Sequence, residues 1–288
     1  MRDWKSVNRK YIQEGGIYLS FDFLKHWNKE VKALNERKCG GQFEYPESLF
    51  LYLYSLKHVF HLGFRQEQGF LQALQQWVPL PAIPSYSQIQ RRTTQLDIHF
   101  DFPHSNEKQI IAIDSSGIKL YNSGQWIREK HKKKSPFLKI HIAVNIKTKQ
   151  AVAIQITEDS VGDNKIALPL IDQATQCGPI EKALFDGAYD TYDIWNGLEK
   201  RKIKPLIRLR KNAVADYWKS WTRAKTVKQY LGKEKQWVKK TGFGQRWQVE
   251  TWFSSYKRRF GEHCTATKPV NVLHEVLFKA GLCNKLIS

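Results

Sequence analysis

The sequence predicts an α/β protein, a mixed sheet flanked by helices, preceded by an all-helical part. Three observations predict it. Apolar residues recur at helical spacing between residues 45 and 96. From residue 109 onward, short apolar runs alternate with helical stretches in the order three strands, helix, strand, helix, strand. Between them lies a polar, proline-bearing segment, DIHFDFPHSNEK (97–108), which marks a boundary between a helical part at 1–105 and a sheet-bearing part at 106–288.

In the first part, YPESLFLYLYSLKHVFHLGF (45–64) is apolar along a helix that starts near Pro46 and stops at Gly63. REQGFLQALQQWV (65–78) forms a second helix, stopped by Pro79. Ser85 stands as the cap of a third, YSQIQRRTTQL (86–96), which exposes Arg91 and Arg92. Three short helices ending on a basic one suit a helix-turn-helix-like DNA reader, and a helical bundle with a charged surface fits the same pattern.

The second part opens with QIIAID (109–114), an apolar run ending in an acid. FLKIHIAVNIKTKQAVAIQIT (137–157) alternates as two strands around Lys147-Thr148-Lys149. Asp163 opens a helix, and EKALFD is a further strand ending in an acid, Asp186. The helix TYDIWNGLEKRK and the strand KPLIRL (204–209) follow. From Gln245 to Phe260 the pattern is helical again, with Gly261 as its stop.

Composition limits the function classes. The 288 residues carry 47 Lys and Arg against 27 Asp and Glu, a net +20. Residues 1–105 hold 13 basic and 10 acidic side chains, leaving 34 and 17, or +17, for residues 106–288. So large a surplus favours a polyanionic partner, nucleic acid ahead of a membrane surface, with its phosphates mostly against the second part. A 41% hydrophobic content excludes disorder as the main state. Cys39, Cys177, Cys264 and Cys283 are scattered with no Cys-x-x-Cys pair, which argues against a disulfide scaffold or zinc ribbon and fits a reducing compartment. Without a membrane-length apolar run or a signal-peptide core, the expected location is the cytoplasm. No glycine-rich phosphate loop is present, so ATP-driven chemistry is not expected.

Three acids stand out. Asp114 (AIDSSG) and Asp186 (LFDGAYD) each end a buried-type strand and precede small residues. A carboxylate there is costly unless it is hydrogen-bonded, paired or metal-bound; turn initiation or helix capping is the simpler reading of either one alone. Glu250 falls on the apolar stripe of its helix with Phe253, Lys257 and Phe260, one turn after Arg246. An Arg246–Glu250 pair at i,i+4 spacing, worth about 0.2–0.5 kcal/mol, could be satisfied on the surface and does not explain the inward placement. Three acids from two strands and a helix permit a two-metal phosphoryl-transfer site, since hard Mg²⁺ takes carboxylate oxygens and substrate phosphates.

Other groups read more simply. Asp163, Asp190 and Asp193 are placed to start helices, and His141 is a structural histidine on the sheet. The run Gln125–Lys139 carries Arg128, Lys130, Lys132, Lys133, Lys134 and Lys139 against one acid, Glu129, and reads as a phosphate-binding loop or a solvated one. Residues 211–240 hold nine basic and two acidic residues with Trp218, Trp221 and Trp237 interleaved. That mixture suits distorted or single-stranded DNA, where a base can stack, or a small insertion with its own tryptophan core.

The stretch Phe243-x2-Arg246-x3-Glu250-x6-Lys257 resembles the Y-x2-R-x3-E-x6-K signature of bacterial insertion-sequence DDE transposases. AIDSSG and LFDGAYDT resemble the first and second acidic motifs of that family. WNKEVKALNERK, PSYSQIQRR and the tail VNVLHEVLFKAGLCNKL resemble its N-terminal domain and closing helix. The resemblance implies an RNase H-like core with a five-stranded mixed sheet, in which the first and fourth strands lie side by side. It also implies that Asp114, Asp186 and Glu250 hold two Mg²⁺ ions, with Mn²⁺ able to substitute. Arg246 and Lys257 are then DNA contacts, and the insertion at 211–240 touches DNA. The implied partners are double-stranded DNA, both terminal inverted repeats and target, and a second copy of the chain on that DNA, in a nucleoid-associated bacterial protein. Phe243 departs from the signature by lacking a hydroxyl. Two alternatives remain at this point: an RNase H-fold nuclease such as a junction resolvase, and a transposase-derived DNA-binding protein without catalysis.

Overall fold

The computed structural model describes residues 3–98, 100–120 and 137–287. The chain divides into two compact units, Met1–Ile98 and His99–Ser288.

The first unit is helical: α1 (Trp4–Tyr18), α2 (Asp22–Asn35), α3 (Glu47–Phe60), α4 (Phe64–Leu74) and α5 (Tyr86–Thr93). The last three are the helices that apolar spacing predicts. α3 stops at His61, whose φ of 54° is left-handed, two residues ahead of the expected glycine. Ser85 and Gln88 form a reciprocal cap at the start of α5, each side-chain oxygen accepting from the other's backbone N–H. α1 and α2 have no counterpart in the apolar pattern, and the reason is visible: α1 buries no described side chain, and α2 buries only Phe23 and Trp27.

Leu49, Phe50, Leu53, Leu71 and Ile89 make the core shared by α3, α4 and α5. One acid lies within it. Glu67 on α4 is fully buried, and neither carboxylate oxygen has a hydrogen-bond partner among the described residues. Burial pushes its carboxyl up to about 8, against the opposing charge of Lys57.

The second unit is built on a six-stranded sheet. Five strands run in the order β3 (Ala151–Glu158), β2 (Phe137–Asn145), β1 (Gln109–Leu120), β4 (Ile180–Phe185), β5 (Lys204–Ile207). β1, β2 and β3 are antiparallel neighbours, while β4 joins β1, and β5 joins β4, in parallel. First and fourth strands are thus side by side, the RNase H-like order. A sixth strand, β6 (His263–Cys264), pairs with Lys119 and Leu120; two residues are too few to leave a periodic signal. β1 also runs six residues beyond Asp114, so the acid is inside the strand and not at its end. Its pairing with β4 stops at Ala112, whereas pairing with β2 continues to Lys119. Asp114 therefore sits just past the point where β1 and β4 part.

Helices α6 (Asp163–Thr175) and α7 (Tyr192–Lys200) follow β3 and β4. The segment after β5 forms α8 (Trp221–Tyr230) and α9 (Glu234–Thr241), and a 3₁₀ turn, Phe243–Arg246, leads into α10 (Trp247–Phe260) and then α11 (Pro269–Ile287). α10 packs on β1 and β2. Two polar ties hold α11 in place. The Asn284 amide donates to the Ala151 carbonyl and accepts from the Ala151 N–H, both at 2.8 Å, covering an edge-strand position as a neighbouring strand would. Glu275 and Lys279 form a buried pair at 2.5 Å, and Glu275 also accepts from the backbone N–H groups of Thr265 and Ala266. Among the described residues no helix is long and apolar enough to cross a membrane.

Unfolding returns Glu67 to water, where it ionises near its ordinary 4.5. Between there and about 8 the folded state holds the extra proton, so stability should fall as pH rises across that window and level off above it. Hydrogen exchange of the α4 amides should therefore speed up from pH 5 to 8 beyond its intrinsic pH dependence, and Glu67→Gln should remove the excess.

Candidate active site

The apolar triplet Ile111–Ala112–Ile113 is buried in the sheet and carries Asp114 with it. Asp114 Oδ1 accepts from the Ser115 N–H at 2.9 Å. Burial pushes its carboxyl above the ordinary range, hydrogen bonds from Ser115 and Arg246 oppose this, and the charge of Asp186 adds to the rise. Asp186 follows β4 and accepts from the Gly187 N–H at 2.6 Å. Gly187 is small because a Cβ there would come within 3.3 Å of the Arg208 carbonyl.

The helix acid reaches the same place through an arginine. Arg246 Nη1 donates to Asp114 Oδ2 at 3.1 Å, and Nη2 donates to Glu250 Oε1. The expected i,i+4 pair thus exists, but its guanidinium also spans 132 residues of sequence to β1. Glu250 is not turned inward as its stripe predicts. Its side chain is 55% exposed, while Val249, Trp252 and Phe253 beside it are buried. The stripe's edge, not its centre, carries the acid. Lys257 lies half-buried two turns further along the same helix. Phe243 is buried with its ring 5.3 Å from that of Trp237, so a phenyl ring satisfies this position by packing.

The remaining predicted residues separate into groups. Arg128, Lys130, Lys132, Lys133 and Lys134 lie outside the described residues. Lys139, from the same run, has its Nζ 3.3 Å from Asp163. Arg91 is exposed. Arg92 is not: its side chain is 14% exposed and its guanidinium lies over the rings of Phe43 and Phe50, where the planar group packs as an aromatic partner. The tryptophans divide too. Trp237 is core, between Tyr230 and Phe243, whereas Trp218 is 100% exposed and Trp221 stands beside Tyr217.

Three groups assigned only simple roles from sequence prove central. Asp190 does not start the helix after it, whose N-cap is Thr191. It is buried in a two-pronged pair with Arg223 of α8, at 2.7 and 2.8 Å, and accepts from the Trp195 indole N–H. Burial works against its charge, but those hydrogen bonds hold the carboxyl below its ordinary value. Asp163, the first residue of α6, faces Lys139 and lies 3.8 Å from His141 Nδ1. His141, whose Nε2 hydrogen-bonds Thr157 Oγ1, pairs across strands with Ser115. Tyr189 carries no expectation from sequence: its buried hydroxyl faces Ser115, and burial with the charges of Asp163, Asp114 and Asp186 keeps it protonated. The Asp-Gly-Ala-Tyr spacing was the available signal, since a 3₁₀ turn returns the fourth residue to the sheet.

The donor set consists of hard carboxylate oxygens, the type Mg²⁺ takes. Among the described residues no three His, Cys, Asp or Glu side chains are close enough together to hold an ion. Between Asp114 and Glu250 a guanidinium carries the positive charge instead.

Two family models, each described as a transposase DDE domain, match this chain, one over residues 105–284 and the other over residues 12–123. Among solved structures, a piggyBac transposase synaptic complex with hairpin DNA is similar over 96% of this chain and 74% of that one, at 10% identity and a TM-score of 0.40. A simian T-cell lymphotropic virus intasome in complex with the PP2A regulatory subunit B56 gamma is similar over 66% of this chain, at 13% identity and a TM-score of 0.26. The match spans 60% of the length of that intasome chain. Neither structural likeness carries the fold assignment, which rests on strand order and on the family match.

Arg246→Met leaves Asp114 without its charged hydrogen-bond partner and should cost about 1–3 kcal/mol of stability in metal-free buffer. If these acids take a metal ion, added Mg²⁺ should then raise the melting temperature of the variant more than that of the wild type, whose guanidinium already engages both carboxylates. Equal rises in thermal-shift measurements would contradict this account of the site.

Proposed function

Because this chain belongs to the transposase DDE-domain family, we propose that it cuts DNA at the ends of a mobile element and joins the freed 3′-hydroxyls to target DNA. The observation that carries this reading is the meeting of Asp114 and Glu250 through one guanidinium, with Asp186 on the adjoining strand within electrostatic reach of Asp114. DDE transposases use divalent metal ions. In this chain Asp114, Asp186 and Glu250 would hold them, two Mg²⁺ with Mn²⁺ able to substitute, and the ions would supply activation of the attacking oxygen and stabilisation of the leaving one.

The chain's own residues have the remaining tasks. Asp114 and Asp186 are fixed by backbone N–H groups and present oxygens in defined directions. Arg246, held between two acids, and Lys257 on the same helix would bind neighbouring phosphates of the substrate. Tyr189 stays protonated and acts as a donor behind the acids.

In cleavage, a water oxygen bonds to the phosphorus at the element's end and the 3′-oxygen leaves with a proton. In joining, that 3′-hydroxyl bonds to a target phosphorus and displaces the target's own 3′-oxygen. The N-terminal part, residues 1–105, reads the terminal inverted repeats, with Arg91 as a contact. The run from Arg128 to Lys134 joins the DNA surface on its charge. Two ends cut together call for two copies on DNA, and a chromosomal substrate puts this work at the nucleoid.

Asp114→Asn should lower Mg²⁺-dependent cleavage of the cognate ends by several kcal/mol of transition-state stabilisation, about 10³-fold or more. DNA binding should remain. Undiminished cleavage by this variant would overturn the proposal; its substrate is sought as short inverted repeats in the DNA flanking the reading frame.

A further inference from the structure

Asp163, the first residue of α6, stands where the supports of Asp114 and Asp186 meet. On one side it reaches β2, with Lys139 Nζ at 3.3 Å and His141 Nδ1 at 3.8 Å. His141 stands directly opposite Ser115, and Lys139 opposite Gly117, so these β2 residues back the segment of β1 that follows Asp114. On the other side, α6 packs on the 3₁₀ turn Gly187–Tyr189 that follows Asp186.

The hydrogen bonds around Asp163 do not account for its charge. The Thr157 hydroxyl has one proton and donates it to the Glu158 carbonyl at 3.2 Å, so at 2.8 Å it accepts from His141 Nε2. Burial keeps the imidazole neutral, which leaves Nδ1 a bare lone pair. Nδ1 and Asp163 Oδ1 are thus two buried acceptors facing each other, and neither has a hydrogen-bond partner among the described residues. Such an arrangement costs more than a helix N-terminus returns to a carboxylate, and the partly exposed ion pair with Lys139 adds little. An asparagine, whose amide would donate to Nδ1, suits the local bonding better. A buried carboxylate oxygen kept at a structural cost calls for a function.

That function lies one contact away. The Tyr189 hydroxyl is buried and is reached by the charges of Asp163, Asp114 and Asp186, Asp163 having the largest effect of the three. A hydroxyl has a single proton to give. Turned to Asp114 or Asp186, it occupies an oxygen that a metal ion needs. Turned to Asp163, it leaves those oxygens free.

We propose that Asp163 is a positioning residue of the cleavage site, which draws the Tyr189 hydroxyl proton to itself and so keeps the oxygens of Asp114 and Asp186 open to a divalent cation. The proposal rests on the reading of these acids as metal ligands, yet its test is separate, because ion binding is measured and not cleavage.

The full chain is titrated with Mn²⁺ without DNA, the free ion being read by electron paramagnetic resonance, and Asp114→Asn identifies the ions that the acids hold. Asp163→Asn should weaken their binding about 10- to 100-fold. Adding Tyr189→Phe to Asp163→Asn removes the competing hydroxyl and should restore most of the affinity. Unchanged affinity in Asp163→Asn, or no recovery in the double variant, overturns the proposal. Lys139→Gln removes the same ion pair but spares the carboxylate, and should bind Mn²⁺ as the wild type does. A loss there equal to that of Asp163→Asn overturns the proposal in favour of a purely structural pair. Should Asp163→Asn fail to fold, Asp163→Ser, also uncharged and suited to a helix start, is read by the same criteria. The two readings fail separately. If Asp114→Asn leaves Mn²⁺ binding unchanged, the metal site itself is lost and the role of Asp163 with it. If Asp114→Asn weakens binding and Asp163→Asn does not, only the role of Asp163 falls.

Discussion

The Arg246 guanidinium, shared between Asp114 and Glu250, is the contact on which the catalytic unit turns. Asp114 is drawn into the sheet by the apolar residues before it, and burial disfavours its charge. Asp186 on the next strand makes this worse. A single planar cation with parallel N–H donors resolves both problems, since it satisfies two carboxylates in one geometry where a lysine would satisfy one. The rest of the unit is arranged to keep the partners where that contact needs them. Asp190 and Arg223 fasten the α8 segment beside the Asp186 turn. Glu275 and Lys279 hold the strand that follows α10, and so the exit of the helix carrying Glu250. These buried pairs are costly to desolvate and costlier to break, so they fix position more than they add net stability.

Much of this was legible in the residues and some was not, for physical reasons. Periodicity gave α3, α4 and α5 because they bury continuous apolar faces, and missed α1 and α2 because those bury almost nothing. Alternation and apolar runs mark the strands, and their side-by-side order is what the family resemblance implies; Ser115-Ser116-Gly117 of β1, just beyond Asp114, has no strand composition and is held by pairing with β2. Motif spacing singles out Asp114, Asp186 and Glu250, of which the structure joins Asp114 and Glu250 through Arg246. It failed on the direction of Glu250, since helical angle gives a side and not a depth. Asp190 looked like a helix start because its partner, Arg223, lies 33 residues away; no local pattern records such a pair. Arg92 looked exposed because charge is a poor guide to burial when a guanidinium can lie on aromatic rings.

The excess of +20 is likewise better described by place than by amount. On the sheet-bearing unit several cations are paired with acids and so lie outside that surplus: Arg223 with Asp190, Arg201 with Asp172, Lys279 with Glu275. What remains for a partner is unevenly spread. Cationic side chains crowd at the starting ends of β4 and β5, whereas acids gather at the finishing end of β4. A polyanion lying along this unit meets attraction at one end of the strands and, absent counter-ions, repulsion at the other. That polarity gives a bound chain of phosphates an orientation before any chemistry begins.

Asn284 carries a consequence for the order in which the molecule comes into being. Its amide completes the backbone pairing of Ala151, 133 residues earlier, and accepts from the indole of Trp252, two residues past Glu250 on the same helix. On the ribosome, both of those groups emerge well before the side chain that satisfies them. The edge of β3 and the helix bearing Glu250 are therefore left with unmet hydrogen bonds until translation has passed Asn284. Through Asn284 the closing helix thus supplies one polar partner to two elements, the edge of β3 and the helix bearing Glu250.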